Sequence, residues 1–166
     1  MDENSVEYHI ATFEEFEKRW QVDVEDNAGD ARWIKWKAER TQDFYSGDWT
    51  TFVAVKKNRP IGTGTLIFSS QTPEINGRQE LADGEIVANI NALRIDEEHE
   101  GKGHISKLVK VMELYAREKG YTRLTIGVEA KETRSLAIYF HWGYNEFVLS
   151  AMEDGALVLY YAKSIL

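Results

Sequence analysis

The chain has 166 residues with 20 basic and 28 acidic side chains, which gives a formal net charge of −8. This length suits a single domain over residues 1–166, and an apolar fraction of 43% is enough for a core, so general disorder is excluded. The acidic balance disfavours nucleic-acid binding and mildly favours a cationic acceptor such as an amine, while the lack of cysteine excludes disulfides and thiolate metal sites. No signal peptide or membrane-length apolar run is visible, so we expect a cytoplasmic protein without membrane partners.

The first third of the chain predicts one strand and two helices. A strand over Val6–Ile10 precedes a capping box, Thr12–Glu15, which opens a helix through about Trp20. The acidic segment Asp23–Asp30 contains glycine and is interpreted as a break between two helices. A second amphipathic helix follows and carries Trp33, Trp36 and Phe44 among charged residues.

The middle of the chain has the two-residue period of strands. Two β-rich runs, Thr51–Lys56 and Ile61–Ser69, flank a hairpin turn at Lys57–Pro60, and Glu85–Ile95 predicts a long strand. The remaining elements are a helix, a strand, a short helix and two strands joined by an Asp-Gly hairpin turn: Ile105–Lys119, Tyr121–Val128, Ser135–Trp142, Phe147–Met152 and Ala156–Lys163. This order predicts a mixed α/β domain with locally parallel pairing near its centre.

A glycine-containing loop lies between the long strand and the helix that follows it. It reads Glu-Gly-Lys-Gly-His-Ile-Ser over Glu100–Ser106. The free N–H groups and the dipole at a helix start favour phosphate binding there. The loop is neither a P-loop nor a dinucleotide fingerprint, since Ser106 stands where the latter needs glycine. From this segment alone, a structural glycine turn is an equally good interpretation.

Two motifs between Asn89 and Tyr144 make the interpretation more specific. Leu93–Ile95 ends a hydrophobic strand before the loop Glu100–Ile105 and a long helix, and Ala137–Tyr144 follows with a tyrosine and a glycine. In order and spacing these motifs resemble the GNAT superfamily of acetyl-CoA-dependent N-acetyltransferases. The resemblance implies a mixed, mostly antiparallel sheet with a central parallel, splayed pair and about four flanking helices. Homodimers are common in that family, so a dimer is one expectation.

The resemblance also implies a set of functional residues. The strand end would pair with pantetheine, an N–H near Leu93 would polarise the acetyl carbonyl, and the loop would hold the pyrophosphate. The implied acetyl-CoA contacts are Leu93, Arg94, Ile95, Glu100, Gly101, Lys102, Gly103, His104, Ile105, Ser106 and Ser135. Glu100 replaces the usual Arg or Gln and Ile105 a small residue, which predicts weaker cofactor binding. Tyr139 would be the general acid, with a core tyrosine as the alternative.

The acceptor side of the reaction is less defined by the sequence. Strand alternation places Glu85, Asn89 and Asn91 on one face with Leu93 and Ile95. Asn89 stands where some family members carry a glutamate that acts as the general base. Asn89 and Asn91 are therefore interpreted as substrate contacts or as structural amides. Glu85 could act as a base through water. The aromatic rings of the second helix should be mostly core, and some could line the acceptor site.

No metal-ligand spacing is present among the histidines, so no metal is expected. The predicted function is acetyl transfer to a primary amine of a small molecule or protein. A non-catalytic acyl-CoA-binding or regulatory module and an interaction domain without cofactor remain the alternatives.

Overall fold

A computed structural model describes residues 5–166 as a mixed α/β fold with a mostly antiparallel sheet. The elements in chain order are β1 (Glu7–Ile10), α1 (Phe13–Asp26), α2 (Arg32–Gln42), β2 (Trp49–Lys56), β3 (Arg59–Ile67), β4 (Val87–Ile95), a 3-10 turn (Glu97–His99), α3 (His104–Glu118), β5 (Arg123–Glu129), α4 (Thr133–His141), β6 (Glu146–Glu153) and β7 (Ala156–Ser164). The strand order is β1-β2-β3-β4-β5-β7-β6, with β4 and β5 parallel. This confirms the predicted fold class. No helix in the described part of the chain is long and apolar enough to cross a membrane.

The chain divides into two compact units. Unit 1 takes in the residues up to Thr65 together with Ala92–Met112, and unit 2 consists of Leu66–Asn91 and Glu113–Leu166. In unit 1, Phe16 of α1 is fully buried and its ring lies 4.8 Å from that of Phe44 and 5.8 Å from that of Trp49. These aromatic contacts pack α1 against β2. The rings predicted to be mostly core, Trp33, Trp36 and Phe44, are only half-buried, and Phe44 lies after the end of α2.

The helix α1 is longer than the sequence predicts. Its capping box is confirmed, since the Glu15 N–H donates to Thr12 Oγ1 at 3.1 Å and the Thr12 N–H to Glu15 Oε1 at 2.9 Å. The predicted break at Asp23 is wrong, because α1 continues to Asp26. Asp23 is buried and accepts two hydrogen bonds from Arg19 one turn earlier, so this acidic residue supports the helix.

Unit 2 is organised by parallel and antiparallel ladders around β5. Val87–Ile90 of β4 pair in parallel with Arg123–Ile126, and β7 pairs antiparallel along the whole of β5. The hairpin between β6 and β7 turns at Asp154 and Gly155, with φ of 48° and 81°. These left-handed angles are those of the Asp-Gly turn that the sequence predicts.

A backbone irregularity interrupts β4 at Ala92. Its φ is 55°, in a region that non-glycine residues rarely adopt, and the parallel pairing with β5 runs only to Ile90. The strict alternation predicted for this strand is therefore wrong beyond Asn91, and Leu93 and Ile95 cannot be assigned to the face of Asn89 by counting. Glu85 also lies outside the strand, which begins at Val87.

Candidate functional site

The glycine loop of unit 1 has the geometry of an anion-binding helix start. Gly101 and Gly103 have φ of 74° and 81°, and a Cβ at either would meet no atom within 4 Å. The helix α3 begins at His104, and the Lys107 N–H donates to the Gly103 carbonyl at 3.1 Å. The N–H groups before it, from His104 to Ser106, belong to the first turn and therefore have no hydrogen-bond acceptor within the helix. Such a helix start fits a diphosphate.

The side chains around this loop leave it accessible. Residues 100–103 are exposed, and Ile105 is half-buried. Lys102 and Lys107 are also exposed and place positive charge near the helix start. The Glu100 backbone N–H donates to the Glu97 carbonyl at 3.2 Å and closes the preceding turn. The loop thus fits the predicted phosphate contact, and the roles of its individual residues stay predictions.

His104 has a partner that sequence reasoning missed. Its Nδ1 lies 2.7 Å from the hydroxyl of Tyr8 on β1, and its ring lies 6.3 Å from that of His99. Burial lowers the pKa of His104, and His99, Lys107, Lys102 and Lys56 lower it further, so the imidazole is neutral at pH 7. Tyr8 is 96 residues away in sequence and belongs to no motif, so only the fold reveals this pair.

The side chain of Arg94 packs against α1 and α2. Its Nη2 lies 3.1 Å from Asp23 Oδ2, and its guanidinium lies 4.6 Å from the ring centre of Trp20 and 5.1 Å from that of Trp33. This arrangement leaves the backbone of Arg94 for the predicted pantetheine contact. Trp33, one of the rings that could have lined the acceptor site, thus already contacts a cation of the protein itself, together with Trp20.

A narrow cleft, with room for about one water molecule, lies beside this arginine. Its lining residues are Phe16, Arg19, Trp20, Arg40, Thr51, Thr63, Thr65, Ala92 and Arg94. Arg19 donates to Asp23 and, through Nη1 at 2.6 Å, to Asp96. Sequence reasoning missed Arg19 and Arg40; the only signal was the four-residue spacing of Arg19 and Asp23 on α1.

The predicted site residues of unit 2 lie on β4 and α4. Tyr139 is half-buried on α4 with its ring 5.6 Å from Trp142, and burial raises its pKa, so the phenol is protonated at neutral pH. Ser135 is half-buried in the first turn of the same helix. These positions are compatible with the predicted roles, which stay predictions.

The side chain of Asn89 is hydrogen-bonded within unit 2. It is 1% exposed, and its Nδ2 donates to Thr125 Oγ1 at 2.9 Å, while the Thr125 hydroxyl donates to the Leu81 carbonyl at 2.7 Å. This chain of hydrogen bonds favours the structural-amide alternative for Asn89 over a substrate contact. Asn91 is half-buried.

Within residues 5–166, one group of side chains brings potential metal ligands together. Its members are Asp96, Glu98 and His99, whose ligand atoms lie within 4.8 Å of one another. Arg19 Nη1 already lies 2.6 Å from Asp96 Oδ1, and Arg59 Nη2 lies 3.8 Å from the other oxygen. Two guanidinium groups beside the same carboxylate oppose a bound cation. The group is better described as an ion-pair network.

Comparisons with known proteins agree with the fold. The model of the Acetyltransferase (GNAT) family matches residues 9–144. An uncharacterized acetyltransferase of Streptococcus pyogenes serotype M1 is 28% identical over 101 residues, which cover 61% of this chain and 68% of that protein. Among solved structures, a protein assigned to the GNAT acetyltransferases from Desulfovibrio desulfuricans has a TM-score of 0.73 at 12% identity and covers 98% of this chain and 100% of its own. The PaiA N-acetyltransferase of Thermoplasma acidophilum, solved in complex with coenzyme A, has a TM-score of 0.65 at 16% identity, with 96% and 99% covered. Because the family model matches most of its length, the chain belongs to the GNAT family of acetyl-CoA-dependent acetyltransferases.

Proposed function

We propose that this protein transfers the acetyl group of acetyl-CoA to a primary amine of a small molecule or a protein. The observation that carries the proposal is the glycine loop at the start of α3, whose N–H groups and backbone angles suit a pyrophosphate. The cofactor would contribute the thioester that is attacked. The backbone of Leu93–Ile95 would align the pantetheine, and Gly101–Ser106 would hold the phosphates.

In the proposed reaction, the C–N bond to the acceptor forms and the C–S bond of the thioester breaks. Tyr139 would give its proton to the leaving thiolate, and its raised pKa keeps that proton in place at neutral pH. The family resemblance supports this role, which stays a prediction. Asn89 cannot accept a proton and is engaged with Thr125, so the proton that the acceptor nitrogen loses would pass to water.

An acceptor screen tests the proposed activity. Acetyl-CoA is supplied with a panel of small amines and amino-terminal peptides, and free thiol is measured. We expect thiol release that saturates with at least one class of acceptor. Saturable CoA binding with no transfer to any acceptor would instead support the non-catalytic module, and no CoA binding in calorimetry would support an interaction domain.

Gly103→Ala tests the loop itself. An alanine must adopt a left-handed φ there at a cost of about 1–2 kcal/mol or distort the loop, so we expect the Kd for CoA to rise about fivefold or more. Gly155→Ala is a matched control, since Gly155 also has a φ of 81° and open space at its Cβ. Both variants should lose similar thermal stability, but only Gly103→Ala should bind CoA more weakly. Equal CoA affinities in the two variants would show that the loop does not hold the cofactor.

A further inference from the structure

A tyrosine on β1 and the first residue of α3 form a hydrogen-bonded pair next to the glycine loop. The Tyr8 hydroxyl lies 2.7 Å from His104 Nδ1, and the two ring centres lie 6.3 Å apart. Both side chains are half-buried, and both belong to unit 1, as does the loop. Within residues 5–166, neither side chain forms another hydrogen bond. The contact therefore orients an imidazole at the start of the helix.

The pair also determines which imidazole nitrogen carries the proton. Burial raises the pKa of the Tyr8 phenol, which keeps its proton at neutral pH, and the His104 imidazole is neutral there. A phenol O–H is a more acidic donor than the N–H of a neutral imidazole, and the imidazole nitrogen is the more basic acceptor. Tyr8 therefore donates to Nδ1, so the proton of the neutral ring lies on Nε2.

Two imidazole nitrogens at this end of α3 lack a partner. The Nε2 of His104 lies across the ring from the Tyr8 contact and has no hydrogen bond to any residue in 5–166. The ring of His99 lies 6.3 Å from that of His104, and its Nδ1 is buried without a partner among the same residues. Because buried polar atoms without partners are rare, a hydrogen-bonding ligand is expected here.

The charges around the imidazole favour an anionic ligand. Burial lowers the pKa of His104, and four neighbouring groups lower it further: His99, Lys107, Lys102 and Lys56. None of the three lysines forms an ion pair with another residue of the described part of the chain. An anion at the start of α3 would therefore meet lysine charge as well as the positive end of the helix dipole.

We propose that Tyr8 is a positioning residue of the cofactor site, which holds His104 so that its Nε2–H donates to an oxygen of the acetyl-CoA diphosphate. This role rests on the proposed function and adds a side-chain donor to the backbone N–H groups of the loop. The diphosphate is anionic, so the hydrogen bond is charge-assisted and stronger than a bond between neutral groups. Tyr8 itself does not touch the cofactor and acts through the imidazole.

The protonated nitrogen can be identified in the ligand-free protein. Long-range ¹H–¹⁵N spectra of the imidazole rings at neutral pH, assigned with His104→Gln, report which nitrogen carries the proton. We expect the Nε2–H form for His104 in the wild type and a larger share of the Nδ1–H form in Tyr8→Phe, which lacks the donor to Nδ1. A predominant Nδ1–H form in the wild type, or equal shares in the two proteins, would overturn the proposal.

Calorimetric titration with CoA tests the contact to the diphosphate. His104→Asn removes the nitrogen at the place of Nε2, so we expect the Kd to rise about tenfold or more. His104→Gln is the matched variant, because its amide nitrogen reaches the place of Nε2 and its Kd should stay within about threefold of the wild type. Dephospho-CoA keeps the diphosphate but lacks the 3′-phosphate, and it should show the same differences. Equal Kd values for the wild type and His104→Asn, or differences that vanish with dephospho-CoA, would overturn the contact.

A double-mutant cycle tests whether Tyr8 acts through His104. Tyr8→Phe alone should raise the Kd for CoA about threefold to fivefold, and it should have no further effect in the His104→Asn background. Tyr45→Phe is the control, because it removes a hydroxyl elsewhere in unit 1 from a residue that is 82% exposed, and it should leave the Kd unchanged. The same rise from Tyr8→Phe in both backgrounds would mean that Tyr8 acts on stability alone, and its positioning role would be wrong.

The same measurements separate this inference from the proposed function. CoA binding and acetyl transfer at the wild-type level in every variant would overturn the role of the pair and leave the proposed function intact. Weaker CoA binding in the variants, without transfer to any amine by the wild type, would support the pair and overturn the transfer activity. No CoA binding by the wild type would overturn both.

Discussion

Replacing Arg19 with alanine should lower the free energy of unfolding by about 3–5 kcal/mol. The Arg19 side chain is 4% exposed and donates to both Asp23 and Asp96, whose side chains are 6% and 10% exposed. Removing it leaves two buried carboxylates with much less compensating charge, and that desolvation cost is not recovered elsewhere. Urea denaturation of the two proteins measures the difference.

The control for this prediction is Lys18→Ala on the same helix. Lys18 forms an ion pair with Glu14 at the same four-residue spacing, but both side chains are more than half exposed. Because exposed pairs contribute little, we expect a change within about 0.5 kcal/mol. A loss below about 1 kcal/mol in Arg19→Ala would mean that water enters the cluster and that the cleft is less desolvated than its burial indicates.

The sequence predicts the order and type of the elements because each has a local signal. The capping box at Thr12 and the Asp154-Gly155 turn are formed by neighbours in the chain, so their chemistry is visible without the fold. The break predicted at Asp23 is wrong for a non-local reason. Asp23 looks like a solvated acid in the sequence, but α1 and β4 bring Arg19 and Arg94 to it and bury it.

The difference between local signals and non-local contacts also explains which parts of the site could be predicted. The loop over Gly101–Ser106 is contiguous and resembles a family motif, so it could be recognised from a short stretch of chain. The cleft combines α1, α2 and three strands, and Arg40 and Thr63 carry no motif that would single them out. The irregularity at Ala92 was also invisible, since alanine gives no sign that its φ will be positive.

Replacing Tyr139 with phenylalanine should reduce kcat about a hundredfold or more while changing the Kd for CoA by less than about threefold. The substitution removes only the hydroxyl, so the ring can still pack beside Trp142.

The raised pKa of Tyr139 also predicts how the wild-type rate depends on pH. As an acid, the phenol works below its pKa, so the wild-type rate should show no decline from Tyr139 ionisation until the pH exceeds about 10.

The matched control is Tyr161→Phe, which removes a tyrosine hydroxyl elsewhere in unit 2. Tyr161 lies on β7 with its ring 4.8 Å from that of Phe140, and its substitution should leave kcat and CoA binding unchanged. Burst and steady-state measurements of thiol release, with CoA affinity determined by calorimetry, separate chemistry from binding. If Tyr139→Phe turns over as fast as the wild type, the leaving thiolate must take its proton from another source, and Tyr139 is a packing residue of α4.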